Sequence, residues 1–290
     1  MIYILIASVL WGTTGTVQTL APETATPLTI GAIRMVAGGV MLFFCAWIRG
    51  KLDIRSLSIK HVLISAVSIS VFQPTFFSAV AITGVAVGTV VALGTAPAMA
   101  GMMEWFLWKR KPTKEWWIST TMAIIGCTIL FLTNEAEINV RPVGILLAMI
   151  AGFGFATYIL YSKELLVYHD SETVVAMIFF TSGLLLMPLL IIGDASWIIM
   201  PRGMVVSVYL GGITTAGAYL LFANGLKYTV ASNAVTLTLA EPMTAALLGV
   251  FFVGESLSTY AWMGIGLIIL GLGNLSLSSK RKPLSILNGE

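Results

Sequence analysis

Ten apolar stretches, separated by short charged or Pro/Gly-rich breaks, leave this chain of 290 residues little choice of architecture. They fall at about 1–20, 27–48, 61–83, 85–108, 116–133, 142–162, 173–192, 203–226, 229–253 and 257–277. A bilayer core of about 30 Å takes about 20 apolar residues in a helix, which these stretches meet or approach. Backbone in lipid must satisfy its own hydrogen bonds, so each stretch is expected to be helical. With 58% hydrophobic and 10% charged residues and a mean hydropathy of +0.95, the chain has too little polar surface to clothe a water-soluble core. The first stretch has no Lys or Arg and no small-residue cleavage site, and reads as a helix rather than a signal peptide. The expected fold is an all-α integral membrane protein of ten transmembrane helices, without a linker long enough to hold a soluble domain.

Basic residues then set orientation, because Lys and Arg accumulate in cytoplasmic loops. With the N-terminus inside, the inner loops and tail hold Arg49, Lys51, Arg55, Lys60, Lys109, Arg110, Lys111, Lys114, Lys163, Lys227, Lys280, Arg281 and Lys282. The outer loops hold Arg141 and Arg202, and Arg34 lies inside a span. Both termini are therefore expected in the cytoplasm, in a multi-pass protein of the inner membrane. The net charge of +3 reflects this topology and gives no reason to expect nucleic acid as a partner.

An internal repeat runs through the chain. Pro97 and Pro242 are 145 residues apart, and the same offset pairs Phe77 with Phe222, Val85 with Val230, Ala86 with Ala231, Val90 with Val235, Trp117 with Trp262 and Gly126 with Gly271. Each half, 1–137 and 138–290, thus carries five spans. Five is odd, so the second copy enters the membrane the other way round. Inverted repeats with proline breaks at equivalent positions, here Pro97 and Pro242, suit a secondary transporter working by alternating access around a central cavity. The alternative for both prolines is an ordinary kink, which membrane helices tolerate.

Glu241 falls near the middle of the ninth stretch, where an ionisable side chain is costly. Pro242 has no N–H, so the carbonyl of Thr238 is expected to lose its helical partner and turn toward a cavity. Two readings of Glu241 stand together: a site for a proton or a cationic substrate group, or a structural carboxylate bonded to backbone or hydroxyls at the kink. Position 96, its counterpart, is Ala. Arg34, about two turns inside the second span, is open between holding a substrate carboxylate, gating the outer side, and anchoring its helix on carbonyls. Glu104, one turn from Lys109, is expected to reach the cytoplasmic interface and is not counted as a site.

Helical spacing groups the remaining candidates. Trp11, Thr14 and Gln18 share a face of the first span, and Phe72 and Phe76 share one on the third beside Gln73. Tyr158 and Tyr161 do so on the sixth, Thr215, Tyr219 and Phe222 on the eighth, and Asn233 and Thr236 add polarity to the ninth. Aromatic walls around a carboxylate suit an amine or quaternary ammonium through cation–π attraction; such stripes also pack helices. Trp105, Trp108, Trp116 and Trp117 read as an interfacial belt. Gly84 and Gly88, with Gly264, Gly266, Gly271 and Gly273, mark close helix approach, within one molecule or across a homodimer.

The run Ala231-Ser232-Asn233 through Leu239-Ala240-Glu241-Pro242 to Gly254-Glu255, with Trp11-Gly12 and Arg34, resembles the EamA-type family of the drug/metabolite transporter superfamily. That resemblance implies two inverted five-helix halves, with spans one to four and six to nine around the cavity and spans five and ten outside. It also implies movement of small metabolites, often outward. The reading that follows is a permease exporting amino acids or related amines, by exchange or proton coupling. Carriage of quaternary ammonium or other cationic compounds is the alternative, ahead of a channel or a membrane-embedded enzyme. His61 and His169 sit at span ends, Cys45 and Cys127 lie in apolar spans, and the sequence has no phosphate loop or metal-ligand spacing, so neither cofactor nor metal is expected.

Single cysteines placed in a Cys-free background test the inversion. Those at Ser56 and Thr113 should react with an impermeant maleimide only from the cytoplasm, and those at Glu137 and Ser256 only from outside. Reaction of Thr113→Cys and Ser256→Cys from the same face would make the repeat parallel.

Overall fold

The computed structural model describes residues 1–132, 141–254 and 256–280, and in these the apolar stretches are helices. The first half contributes α1 (Ile2–Gln18), α2 (Pro27–Ile48), α3 (Ile59–Thr83), α4 (Val85–Trp108) and α5 (Lys114–Leu132). The second contributes α6 (Pro142–Tyr168), α7 (Ser171–Ile192), α8 (Pro201–Gly211), α9 (Ala218–Leu226), α10 (Ala231–Leu237), α11 (Ala240–Leu248) and α12 (Thr259–Lys280). A π-helical turn, Gly212–Gly217, joins α8 to α9, and a second, Gly249–Val253, follows α11. Counted as spans, nine described segments are long and apolar enough to cross a membrane, and α1 is a shorter apolar helix. Glu137, the division at 137/138, Glu255, Arg281 and Lys282 lie outside the described residues.

Local chemistry explains the boundaries. Thr26 accepts the N–H of Thr29 through its side chain and Pro27 follows at the first helical position, so α2 starts there. Between α3 and α4 the chain turns within one residue, because Gly84 adopts φ +86°, a conformation that costs a Cβ-free residue little.

Two expectations about proline change. α4 continues through Pro97 without interruption: one missing N–H removes one helical bond, and the turns on either side hold. The ninth span does divide, but earlier than expected and with its carbonyls occupied. Thr238 N–H bonds Val235 O at 3.2 Å, Leu239 N–H bonds Thr236 O at 3.1 Å and Glu241 N–H bonds Thr238 O at 2.9 Å. The chain tightens to a three-residue repeat just before Pro242, so the Thr238 carbonyl stays paired instead of turning into the cavity.

Packing is closest where glycines allow it. α2 lies against α7, where Gly39 has no room for a Cβ beside the Phe179 carbonyl, Gly183 meets Val36, and Arg49 pairs with Glu172 at 3.2 Å. α5 lies against α12 in the same manner, with Gly126 on the Gly264 carbonyl and Gly271 on the Ser119 carbonyl. In both pairs rising numbers on one helix meet falling numbers on the other, so the helices run antiparallel. Elsewhere α3 and α4 pack on α6, while α1 packs on α9 and α11. Trp116 leaves the expected belt: it is buried under Gly101, whereas Trp105 and Trp117 are exposed.

The α12 glycines divide by face. Gly264 and Gly271 contact α5, whereas a Cβ at Gly266 or Gly273 would meet open space. Gly126→Ala should therefore destabilise the protein by about 1–3 kcal/mol through forced overpacking. Gly266→Ala should leave stability unchanged or slightly raised, since alanine favours helix. Thermal unfolding of both variants in detergent checks the difference.

Candidate functional site

A cavity of about 540 Å³ opens between the C-terminal ends of α1 and α3, the N-terminal ends of α2 and α4, and the end of α5. This size lies within the range of about 300–1,000 Å³ typical of small-molecule sites. Glu241 borders it from the first turn of α11, where the helix dipole favours an anion. Among the described residues its carboxylate makes no hydrogen bond and no ion pair. Gly12 places α1 directly on this turn, since a Cβ there would come within 2.9 Å of the Glu241 carbonyl. The Trp-Gly pair thus has a mechanical reason: glycine brings the helices together beside the carboxylate, and tryptophan faces the cavity.

The π-turn on the eighth span supplies the second half of the site. Its register change directs the Thr214 carbonyl sideways, where it accepts Trp11 Nε1–H at 2.9 Å and one terminal N–H of Arg34 at 3.4 Å. Arg34 Nε also donates to Thr215 Oγ1 at 3.3 Å. Gly38 lets α2 approach this turn, for a Cβ there would lie 2.5 Å from Thr215 Cγ2. Arg34 is buried and borders the cavity that Glu241 borders, without contacting it directly. Nothing in the sequence pattern marked the π-turn except its small residues, Gly212, Ala216 and Gly217, with Gly211 just before it.

Most of the candidates meet here. Trp11, Thr14, Gln18, Arg34, Phe72, Gln73, Phe76, Tyr219, Glu241 and Pro242 all line the cavity. Trp11 packs on Tyr219 and Phe222 with ring centroids 4.7 and 5.4 Å apart. Gln73 finds only the thioether of Met35, at 3.9 Å, and Thr14 Oγ1 is buried with no partner among the described residues. Tyr161, Thr215, Phe222 and Thr236 do not line it, and neither do Tyr158, Asn233 and Pro97. Tyr158 stands behind the wall, packed on Phe155, Phe179 and Tyr219. Asn233 is half-buried on α10, whose polar face goes instead to Thr120, bonded to Thr236 at 2.9 Å. Pro97 lies within α4 away from the cavity.

The sequence profile of the EamA-like transporter family matches residues 1–132 and 142–277. The chain belongs to that family. This EamA-like chain is 46% identical over 281 residues to the Uncharacterized transporter YwfM of Bacillus subtilis strain 168, covering 97% of this chain and 95% of that one. It is 28% identical over 268 residues to the Threonine/homoserine exporter RhtA of Escherichia coli K12, covering 89% and 85%. A solved crystal structure superposes with a TM-score of 0.82 at 19% identity over 96% of both chains, and so shares the fold. The protein is an integral membrane transporter of a small-molecule substrate, and not an enzyme.

At the other end of this EamA-like transporter, Glu104 departs from expectation. It is buried, and its two carboxylate oxygens accept the N–H groups of Ala231 and Ser232 at 3.1 and 3.2 Å. The first N–H groups of a helix lack partners within it, and α10 begins at Ala231. Spacing from Lys109 suggested an interfacial side chain; a helix start borrowed from another span has no signature in sequence. Lys163 complements it, donating from Nζ to the carbonyls of Leu226 and Lys227, both at 2.9 Å, where α9 ends. Glu104→Ala should strand two N–H groups and cost about 1–3 kcal/mol for each, whereas Glu104→Gln keeps one acceptor and should cost less. Thermal unfolding of the two variants measures the order.

Proposed function

We propose that this transporter carries amino acids outward by alternating access between two oppositely inserted halves, 1–137 and 138–290. One observation carries the substrate reading: a carboxylate with no hydrogen bond or close ion pair among the described residues and a guanidinium border one cavity without touching each other. Glu241 takes the substrate ammonium and Arg34 its carboxylate. A guanidinium has five N–H donors, and the bonds of Arg34 to Thr214 and Thr215 leave donors for a ligand. Thr14 and Gln73 add hydrogen bonds, and Trp11, Phe76 and Tyr219 cover the apolar part. The similar exporter of threonine and homoserine supports this class.

The inverted ten-span architecture is supported by two pairs of helices five spans apart, α2 with α7 and α5 with α12, each running antiparallel. The contact pattern supports it too, since α3 and α4 on α6 repeat as the eighth and ninth spans on α1. The excess of Lys and Arg on one side supports cytoplasmic termini in the inner membrane, with the cavity open to the outside. Proton or exchange coupling drives the cycle, in a monomer or a homodimer.

The aromatic walls favour a second reading, transport of quaternary ammonium compounds. Binding of threonine, leucine and tetraethylammonium to purified protein separates the two. Glu241→Gln removes a desolvated ion pair and should cost about 2–5 kcal/mol, or about 30-fold to several thousand-fold in affinity. Arg34→Met should weaken the amino acids and spare tetraethylammonium. Unchanged affinity with lower thermal stability in Glu241→Gln would make that carboxylate structural and sink the reading.

A further inference from the structure

Lys163 and Gln18 hold the same place in the two halves, 145 residues apart, and they are in opposite conditions. Lys163, near the end of α6, reaches the carbonyls of Leu226 and Lys227 at the C-terminal end of α9. The residues 145 positions before those two are Ala81 and Ile82, at the C-terminal end of α3. Gln18, at the end of α1, presents a donor of the same kind, yet its Nε2 is buried with no hydrogen-bond partner among the described residues. Gln18 and Ala81 both border the cavity.

Packing carries the same asymmetry. α6 packs against both α9 and α10, which closes the end of the bundle that holds Lys163. The equivalent pairs, α1 with α3 and α1 with α4, have no comparable packing among the described residues, and the cavity opens between them. The last carbonyls of a helix lack partners within it and carry the negative end of its dipole. An ammonium suits them at one end and an amide N–H suits them at the other.

We propose that Lys163 and Gln18 are paired latches that seal opposite ends of the cavity in turn. In the present state Lys163 holds the Leu226 and Lys227 carbonyls, and the Gln18 end is open. In the opposite state Lys163 lets go, and Gln18 Nε2 donates to the carbonyls of Ala81 and Ile82. The latches are unequal, because a bond from an ammonium is stronger than one from an amide. The state held by Lys163 is therefore the resting one. Glu104 reinforces it by fixing the first N–H groups of α10 beside the same linker. This inference rests on the inverted-repeat reading.

The test uses a Cys45→Ser/Cys127→Ser background with Thr89→Cys, a cavity-lining reporter, in oriented membrane vesicles exposed to an impermeant maleimide on one face at a time. The parent should label from the face on which the cavity opens. Lys163→Met should slow that labelling by about tenfold or more, the worth of a charged hydrogen bond, and admit the reagent from the opposite face. Adding Gln18→Leu should remove the bias toward the opposite face and move labelling back toward the parent pattern. Lys163→Gln, which makes the two latches alike and keeps a donor, should shift labelling in the same direction by less, and serves if Lys163→Met does not fold. A cross-link between Thr19→Cys and Ala81→Cys, which border the cavity and leave Gln18 in place, should form in the Lys163→Met protein and not in the parent. Unchanged Thr89→Cys labelling in a folded Lys163 variant would overturn the latch alone. Labelling of Thr113→Cys and Ser256→Cys from one face would overturn the repeat on which it rests.

Discussion

A helix in lipid can give up one of its own hydrogen bonds only where another group takes over the abandoned partner. The polar chemistry of this transporter is concentrated at such places. The π-turn in the eighth span directs the Thr214 carbonyl away from regular register, and Trp11 and Arg34 take it up. The carbonyls that end α9 go to Lys163, and the N–H groups that begin α10 go to Glu104. Each irregularity therefore ties one span to another, and spans one, two, four and six all reach the eighth and ninth through groups that those two expose.

Glycines make these exchanges possible. An arginine on α2 reaches a carbonyl on the eighth span because Gly38 removes the side chain that would hold the backbones apart. Gly12 does the same between α1 and α11, next to the carboxylate. Small residues in this bundle thus set the distance at which charged and aromatic groups meet, as well as permitting helices to associate.

Hydropathy made the spans legible, because lipid imposes a length and a composition that no tertiary contact can override. Helical spacing made most of the cavity wall legible: Trp11, Thr14 and Gln18, or Phe72 and Phe76, lie on one face whatever the neighbours do. Spacing places a residue on a face but does not say which neighbour that face meets. Tyr158 and Asn233 were accordingly expected at the cavity, whereas one stands behind its wall and the other on a helix whose polar side is taken by Thr120 and Glu104. The π-turn was illegible for a different reason. It is a change of hydrogen-bond register, and Gly-rich composition permits it without specifying it. Glu104 looked interfacial by its distance from Lys109; only the three-dimensional arrival of α10 gives its carboxylate two donors.

The tight turn at Thr238 and Leu239 divides the ninth span between two neighbourhoods. α10 is held on α4 and α6, and α11 lies along α1. Two residues alone link these attachments, so the ninth span is mechanically a joint rather than a rod. A rotation of α1 relative to α4 would be taken up there, and the carboxylate of Glu241, two residues beyond the joint, lies on the side that belongs to α1.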